Sequence, residues 1–253
     1  MIDPVAFTIG DISVRWYGII MASAFSIGIY LAYKRAQSVG VDPEHIINMV
    51  MWIIPVAIIG ARTYYVIFEW HRYADDLWTV FAVWHGGLAI HGGLIGGIIA
   101  GYIYIRVNKL KARQIADITA PSVVLGEAIG RWGNFVNQEA HGGPVSAEFI
   151  SKFPDFIANQ MYISGQYYHP TFLYQSCWNL FVFIFLCIYW KKKRFDGEIA
   201  LWYLALYSIG RFFIEDMRTD SLMLGQFQIA QVVSLALMII SFSMIIYYRV
   251  IRR

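Results

Sequence analysis

Apolar and polar positions alternate on a coarse scale along this chain. Seven long apolar stretches, roughly 15–35, 46–68, 88–106, 115–136, 170–190, 197–214 and 227–248, are separated by polar connections. Each approaches the ~20 residues that a helix needs to cross the hydrocarbon core of a bilayer. The pattern predicts an all-α, polytopic membrane protein with seven transmembrane helices. The fourth stretch is the least apolar, because it carries Pro121, Glu127, Arg131 and Asn134. Only one connection is long, 137–169, and it mixes Gly, Pro, aromatics and a few charges. It reads as a small extracytoplasmic head region within a single integral membrane domain covering 1–253.

Composition supports this reading. The chain is 58% hydrophobic and 15% charged, whereas soluble proteins average about 25% charged residues. The first fourteen residues hold Asp3 and Asp11 but no Lys or Arg. A cleaved signal peptide begins with a basic region, so the first stretch is expected to remain as a helix. Cys177 and Cys187 lie ten residues apart in one apolar run. On a helix that separation is about 15 Å, too far for a disulfide, and both are expected to pack as small buried side chains.

Charge placement sets the orientation. Lys34 and Arg35, then Arg106, Lys109, Lys111 and Arg113, then Lys191 to Arg194, and finally Arg249, Arg252 and Arg253 follow alternate stretches. With seven crossings, these thirteen of the twenty basic residues fall on one side. Lys and Arg in short loops mark the cytoplasmic face, which places the N-terminus outside and the C-terminus in the cytoplasm.

Of the other basic residues, Arg72 and Lys152 lie in outer loops, and Arg15, Arg62, Arg131, Arg211 and Arg218 lie within or beside apolar stretches. An arginine at mid-bilayer costs about 3 kcal/mol. Arg15 and Arg218 are as readily explained by snorkelling to the interface. Arg131 and Arg211 have polar companions on their own helical faces. Tyr207, Arg211 and Glu215 recur every fourth residue, and Asn134 follows Arg131 by three. Glu215 can pair with Arg211, but a guanidinium has five donors, more than one carboxylate satisfies. With Arg62, Tyr65 and His169, these residues gather Arg, Tyr, Asn, Glu and His at one depth, the outer leaflet. Planar arginines suit phosphate, and the lipid headgroup carries phosphate at that depth. A phospholipid-binding cavity follows.

Several chemistries find no support. There is no HExxH motif, no GxSxG elbow, and Asp117 has no second aspartate for an intramembrane dyad. The stretch WHGGLAIHGGLIGG (84–97) holds two His-Gly-Gly triplets. Their histidines, six apart, would point about 240° apart on one helix and could not share a metal. Gly93, Gly97 and Gly101, like Gly92 and Gly96, are spaced for close helix packing. Gly86 and Gly87 read as an entrance turn, His85 as interfacial, and His91 as a candidate catalytic residue. No metal, cofactor or nucleic acid is expected. A transporter or flippase of phospholipid or another anion is the alternative, though the internal repeat usual in transporters is not evident.

The run GRWGNFVNQEAHG (130–142) resembles the signature of the phosphatidylglycerol:prolipoprotein diacylglyceryl transferases, Gly-Arg-x-Gly-Asn-Phe-x-Asn-x-Glu-x-x-Gly, with every fixed position present. The likeness continues through RWYG at 15–18, GAR at 60–62, HGGLIGG at 91–97, HPTFLY at 169–174 and YSIGRFFIEDMR at 207–218. It implies a seven-helix enzyme of the bacterial cytoplasmic membrane with its active site facing the outer leaflet. Such an enzyme moves diacylglyceryl from phosphatidylglycerol to the lipobox cysteine of a prolipoprotein signal peptide, releasing glycerol phosphate. By motif, the resemblance implies roles for Tyr17, His91, Arg131, Asn134, Glu139, Gly142, Tyr207, Arg211 and Glu215. His91, Arg131, Arg211 and Tyr17 are the expected catalytic residues. Arg131, Asn134, Glu139, Gly142, Tyr207, Arg211, Glu215 and Arg62 are expected at the headgroup. Either His91 or a phosphate oxygen could take the thiol proton. Gln175 departs from the family, which often has Glu there, and Glu127 belongs to no family motif.

Overall fold

A computed structural model describes residues 2–74, 76–219 and 221–251. Arg252 and Arg253 of the terminal basic cluster lie outside the described residues, as does the side chain of His85. All seven apolar stretches are helical: α1 (Trp16–Ser38), α2 (Glu44–Phe68), α3 (Ile90–Val107), α4 (Ala112–Asn137), α7 (Thr171–Tyr189), α8 (Glu198–Glu215) and α9 (Ile229–Ile246). Two short helices, α5 (Ala147–Ile150) and α6 (Asp155–Gln160), lie between α4 and α7.

Five of these helices, α1, α2, α3, α7 and α9, are long and apolar enough to cross a membrane. That is two fewer than the apolar pattern predicts. The reason is charge: α4 carries Arg113, Asp117, Glu127 and Arg131, and α8 carries Glu198, Arg211 and Glu215. Large apolar side chains face outward, including Met51, Trp52 and Ile59 on α2, Leu94 and Ile98 on α3, and Ile239 and Ile240 on α9. Soluble monomers rarely expose such continuous apolar faces; this is a multi-pass membrane protein.

The chain divides into two compact units, one formed by Met1–Ala32 with Ala116–Arg253 and the other by Tyr33–Ile115. In the second unit α2 packs on α3 through glycines. A Cβ on Gly60 would lie 2.5 Å from the Gly92 carbonyl oxygen, and one on Gly92 would strike the Gly60 carbonyl and the Tyr64 side chain. Only glycine at both positions lets the backbones approach this closely. The connection between α2 and α3 forms short 3₁₀ turns at Trp70–Arg72, Leu77–Phe81 and Val83–His85. It ends at Gly86 and Gly87, whose φ angles of 86° and 73° lie in the left-handed region. The expected entrance turn is therefore present.

The first unit opens with an antiparallel hairpin of β1 (Val5–Ile9) and β2 (Ile12–Arg15). The connection at 137–169 folds as a small head. Its antiparallel sheet has the order β3-β5-β4, from Pro144–Val145, Gln166–Tyr168 and Tyr162–Ile163. Phe135, Val136, Ile150, Ile157, Met161 and Phe172 form one buried cluster that joins this head to the end of α4 and the start of α7. A second cluster, with Ala120, Val124, Val182, Leu186 and Ile199, joins α4, α7 and α8 at their other ends.

Polar ties fix the same helices. Asp117 is fully buried and accepts from the backbone amides of Gly197 (2.8 Å) and Ala200 (3.0 Å) and from Lys193 Nζ (3.2 Å). It thus caps the N-terminus of α8 from a neighbouring helix, where a negative charge is favoured. Cys177 and Cys187 are both exposed on α7, contrary to the expectation of burial. Cys177 falls on the side of α7 opposite Gln175, Asn179, Val182 and Leu186.

Candidate active site

Arg131 on α4 and Arg211 on α8 line one pocket, together with Asn134, Arg218 and Ile214. The start of α7 contributes Thr171, Phe172 and Gln175. The helical spacing read from the sequence puts Tyr207, Arg211 and Glu215 on one face of α8. Arg211 Nη2 lies 2.5 Å from Glu215 Oε2, and Arg218 Nε lies 3.9 Å from the same oxygen. Glu215 is 2% exposed. One buried carboxylate thus sits against two guanidiniums. Arg131 adds a third and meets the Tyr207 hydroxyl by hydrogen bond. Three guanidiniums that share one pocket suit it to an anion.

Behind the arginines lies Glu127, one turn before Arg131 on α4. Its Oε1 accepts from the Tyr203 hydroxyl at 3.2 Å, and it lies within electrostatic reach of both Arg131 and Arg211. Glu127 therefore tempers the cationic site from below and ties α4 to α8.

Glycines shape the walls. The Tyr17 ring lies over Gly133, where a Cβ would come within 2.6 Å of its Cδ2. Gly133 follows Arg131 by two residues, about 200° around α4, so Tyr17 packs away from the Arg131 face and does not line the pocket. The Trp178 indole sits against Gly210 and donates from Nε1 to the Leu206 carbonyl at 2.8 Å. Any side chain at position 210 would displace that indole, and with it the turn of α8 that holds Arg211.

Beyond α4 the chain turns sharply, with Gln138 and Ala140 both at φ 54°. Left-handed backbone is unusual for such residues. Here it returns Glu139 to Asn134, whose Nδ2 donates to Glu139 Oε1 at 2.9 Å. Glu139 thus orients Asn134, which lines the pocket. Gly142 holds the next stretch in place. Its amide donates to the His169 carbonyl and the Gly143 amide to the Met217 carbonyl, both at 3.0 Å. A Cβ on Gly142 would lie 2.7 Å from His169 Cβ and 2.9 Å from the Met217 oxygen. Gly142 thus lies in a seam between the head region and the end of α8. His169 packs edge-on to Phe149, its Nδ1 lies 3.3 Å from the Tyr174 hydroxyl, and burial holds its imidazole pKa below the ordinary value.

Arg62 and His91 belong to the second unit. Arg62 is 7% exposed, and its donors are committed. Nε donates to Val80 O (2.7 Å), Nη2 to Thr79 O (2.6 Å), and Nη1 to Gly86 O (2.8 Å) and Gly87 O (3.0 Å). Four of its five N–H groups thus clamp the loop that leads into α3. His91 is the second residue of α3, exposed, with its ring 6.1 Å from that of Tyr64.

Thr171 and Gln175 line the pocket without having been expected there. Thr171, Gln175 and Asn179 recur every fourth residue on α7, the same polar stripe that marks α8. Thr171 Oγ1 donates to the Ala140 carbonyl (2.9 Å) and Gln175 Nε2 to Asn179 Oδ1 (2.8 Å). Arg218 lines the pocket, where an interfacial anchor was an equal expectation. Gln160, 2% exposed, donates to the carbonyls of Phe135 and Val136 and so caps the end of α4; no local signal marks it.

Comparison with known proteins places this geometry in context. Residues 4–247 match the family model described as prolipoprotein diacylglyceryl transferase. A protein of Listeria monocytogenes serotype 4a (strain HCC23), named phosphatidylglycerol–prolipoprotein diacylglyceryl transferase, is 52% identical over 251 residues, covering 98% of this chain and 91% of the relative. One of the same name from Clostridium botulinum (strain Langeland / NCTC 10281 / Type F) is 49% identical, covering 99% and 98%.

Proposed function

The chain belongs to the prolipoprotein diacylglyceryl transferase family, and from that premise we propose that it transfers diacylglyceryl from phosphatidylglycerol to the lipobox cysteine of prolipoproteins. The observation that carries this reading is the pocket that Arg131, Arg211 and Arg218 line together, with the Glu215 carboxylate against two of them. The phosphate of the lipid binds there. The cysteine sulfur attacks the glycerol carbon that bears the phosphate ester, a C–S bond forms and the C–O bond breaks. The electron pair leaves on the oxygen of glycerol phosphate, where Arg131 and Arg211 stabilise the developing charge. Only the thiolate is an effective nucleophile, and a free thiol has a pKa of about 8.5. His91 takes its proton. Tyr17 fixes the face of α4, and Asn134, Glu139, Tyr207 and Glu215 hold the arginines and the headgroup in register. Gly142 and Arg62 position the surrounding backbone.

In the membrane, α4 and α8 cross alongside the five more apolar helices. Their charges are covered mutually, Glu127 by Tyr203 and Glu215 by Arg211. The N-terminus and the head at 137–169 lie outside the bacterial cytoplasmic membrane, the pocket opens to the outer leaflet, and the whole chain acts as one integral membrane domain.

The test mixes purified protein, phosphatidylglycerol and a lipobox peptide. Expected are a diacylglyceryl mass shift on the cysteine and release of glycerol phosphate. Lipid flux across vesicles with no thioether would overturn the proposal in favour of transport. Retention of most activity in His91→Asn would remove His91 as the base.

A further inference from the structure

Glu127 stands one turn behind Arg131 on α4, about 6 Å along the helix axis, and is not among the residues that line the pocket. Its Oε1 accepts from the Tyr203 hydroxyl at 3.2 Å, and its Oε2 is buried without a hydrogen-bond partner among the described residues. Its charge acts on Arg131 and Arg211, the two guanidiniums that stabilise the departing phosphate in the proposed reaction. Tyr207 belongs to the same group, hydrogen-bonded with Arg131 and within electrostatic reach of Glu127. Taking a carboxylate out of water is costly unless it is fully paired. A glutamine would accept from Tyr203 equally well and tie α4 to α8 without that cost. What glutamate alone supplies is a negative charge behind the arginines.

That charge opposes anion binding, so an anion site must have a use for it. The transfer proposed above supplies one, and the inference rests on that reading. The diester phosphate of the lipid carries one negative charge. When the thiolate forms the C–S bond, the electron pair of the broken C–O bond leaves with the phosphate. The product is a monoester with a second pKa of about 6, and it carries about two charges. A pocket that holds phosphate by charge therefore holds the product more tightly than the substrate. Coulomb energy is linear in the ligand's charge, so a fixed negative charge behind the arginines penalises the product about twice as much as the substrate. We propose that Glu127 is a product-release residue. Acting through the arginines and not by touching the ligand, its carboxylate weakens the pocket toward phosphate monoesters, so that glycerol phosphate leaves and the next phosphatidylglycerol enters. Product release limits turnover in many enzymes.

The test uses the full-length protein in detergent at about pH 8.5, near the pKa of a free thiol. Two soluble probes share the glycerol phosphate group: glycerol 1-phosphate, a monoester, and glycerophosphoglycerol, a diester of single charge. Affinities are read by isothermal calorimetry, independently of turnover. One more ligand charge at a distance on the order of 10 Å, with an effective dielectric constant of about 20, corresponds to about tenfold in affinity. Glu127→Gln, which keeps the acceptor for Tyr203, should therefore bind the diester about tenfold and the monoester about 100-fold more tightly. The ratio of the two then shifts about tenfold toward the monoester. Glu127→Asp keeps the charge and should keep the wild-type ratio. In a single turnover Glu127→Gln should form thioether as fast as the wild type or faster, whereas its steady-state turnover should fall and product inhibition deepen. An unchanged ratio in Glu127→Gln would overturn the proposal. So would weaker binding of both probes by a Glu127→Gln protein that melts as the wild type does, or a ratio in Glu127→Asp that matches Glu127→Gln. Absence of thioether formation by the wild type would refute the transferase reading instead, because the probe ratio is measured without turnover.

Discussion

Arg62 offers a sharp division between two roles. A headgroup-binding arginine and a backbone clamp predict different consequences when the guanidinium is removed. Four N–H···O bonds of 2.6–3.0 Å join Arg62 to Thr79, Val80, Gly86 and Gly87. Hydrogen bonds to a charged group contribute about 1.5–3 kcal/mol each. The four are not additive, and exposed carbonyls regain water when the clamp is lost. Arg62→Met should therefore destabilise the 77–89 segment locally by about 3 kcal/mol, the scale of breaking a buried charged network. At 1.4 kcal/mol per tenfold, amide exchange there should accelerate by about 100-fold. The Ala82 amide, bonded to Thr79 O, and the Ala89 amide, bonded to Ala61 O, are the reporters. Hydrogen exchange followed by mass spectrometry reads them directly. Arg62→Lys should recover only part of the protection, since a point-like ammonium cannot span four carbonyls as a planar fork does. Unchanged exchange at 77–89 in Arg62→Met, with weakened lipid binding, would refute the clamp and restore the headgroup role.

Two further outcomes rest on the same structure. Gly92→Ala drives a Cβ into the Gly60 carbonyl and Tyr64, whereas Gly93→Ala places one at an ordinary 3.5 Å from Ala57 O and Ala61 Cβ. Overpacking costs about 1–3 kcal/mol; at about 2–4 °C per kcal/mol, a melt in detergent should fall by several degrees for Gly92→Ala and barely move for Gly93→Ala. Burial lowers the pKa of His169, so the unfolded chain binds a proton there more readily. Stability should be greatest above about pH 6.5 and decline as pH falls through that value. His169→Gln should lose less stability than the wild type between pH 8 and pH 5.5.

Much of the fold is legible in the sequence because a bilayer imposes simple rules. Seven apolar stretches become seven helices, and the spacing of Tyr207, Arg211 and Glu215 places them on one face of α8. The repeated triplets at 84–97 divide into an entrance turn at Gly86 and Gly87 and a packing face on α3. What escaped is mainly contact between distant segments. Asp117 looks unpaired in sequence, yet its partners, Lys193 and the amides of Gly197 and Ala200, lie some eighty residues away. The donors of Arg62 end on backbone carbonyls, which carry no residue-type signal. Gly142 sits in the family motif, but its closeness to His169 and Met217 depends on how the head region folds back. The stripe of Thr171, Gln175 and Asn179 was visible by the rule that identified α8, although uncharged residues in an apolar run draw less notice than arginines.

The central claim is that the arginine pocket stabilises the departing glycerol phosphate. The most direct measurement is single-turnover thioether formation by Arg131→Ala and Arg211→Ala at saturating phosphatidylglycerol and lipobox peptide. Deleting one preorganised donor to a developing charge typically costs 10²–10³ in rate, and a fall of about 100-fold or more in each variant is the predicted result. Turnover close to the wild type in Arg131→Ala, with the protein folded, would contradict the account.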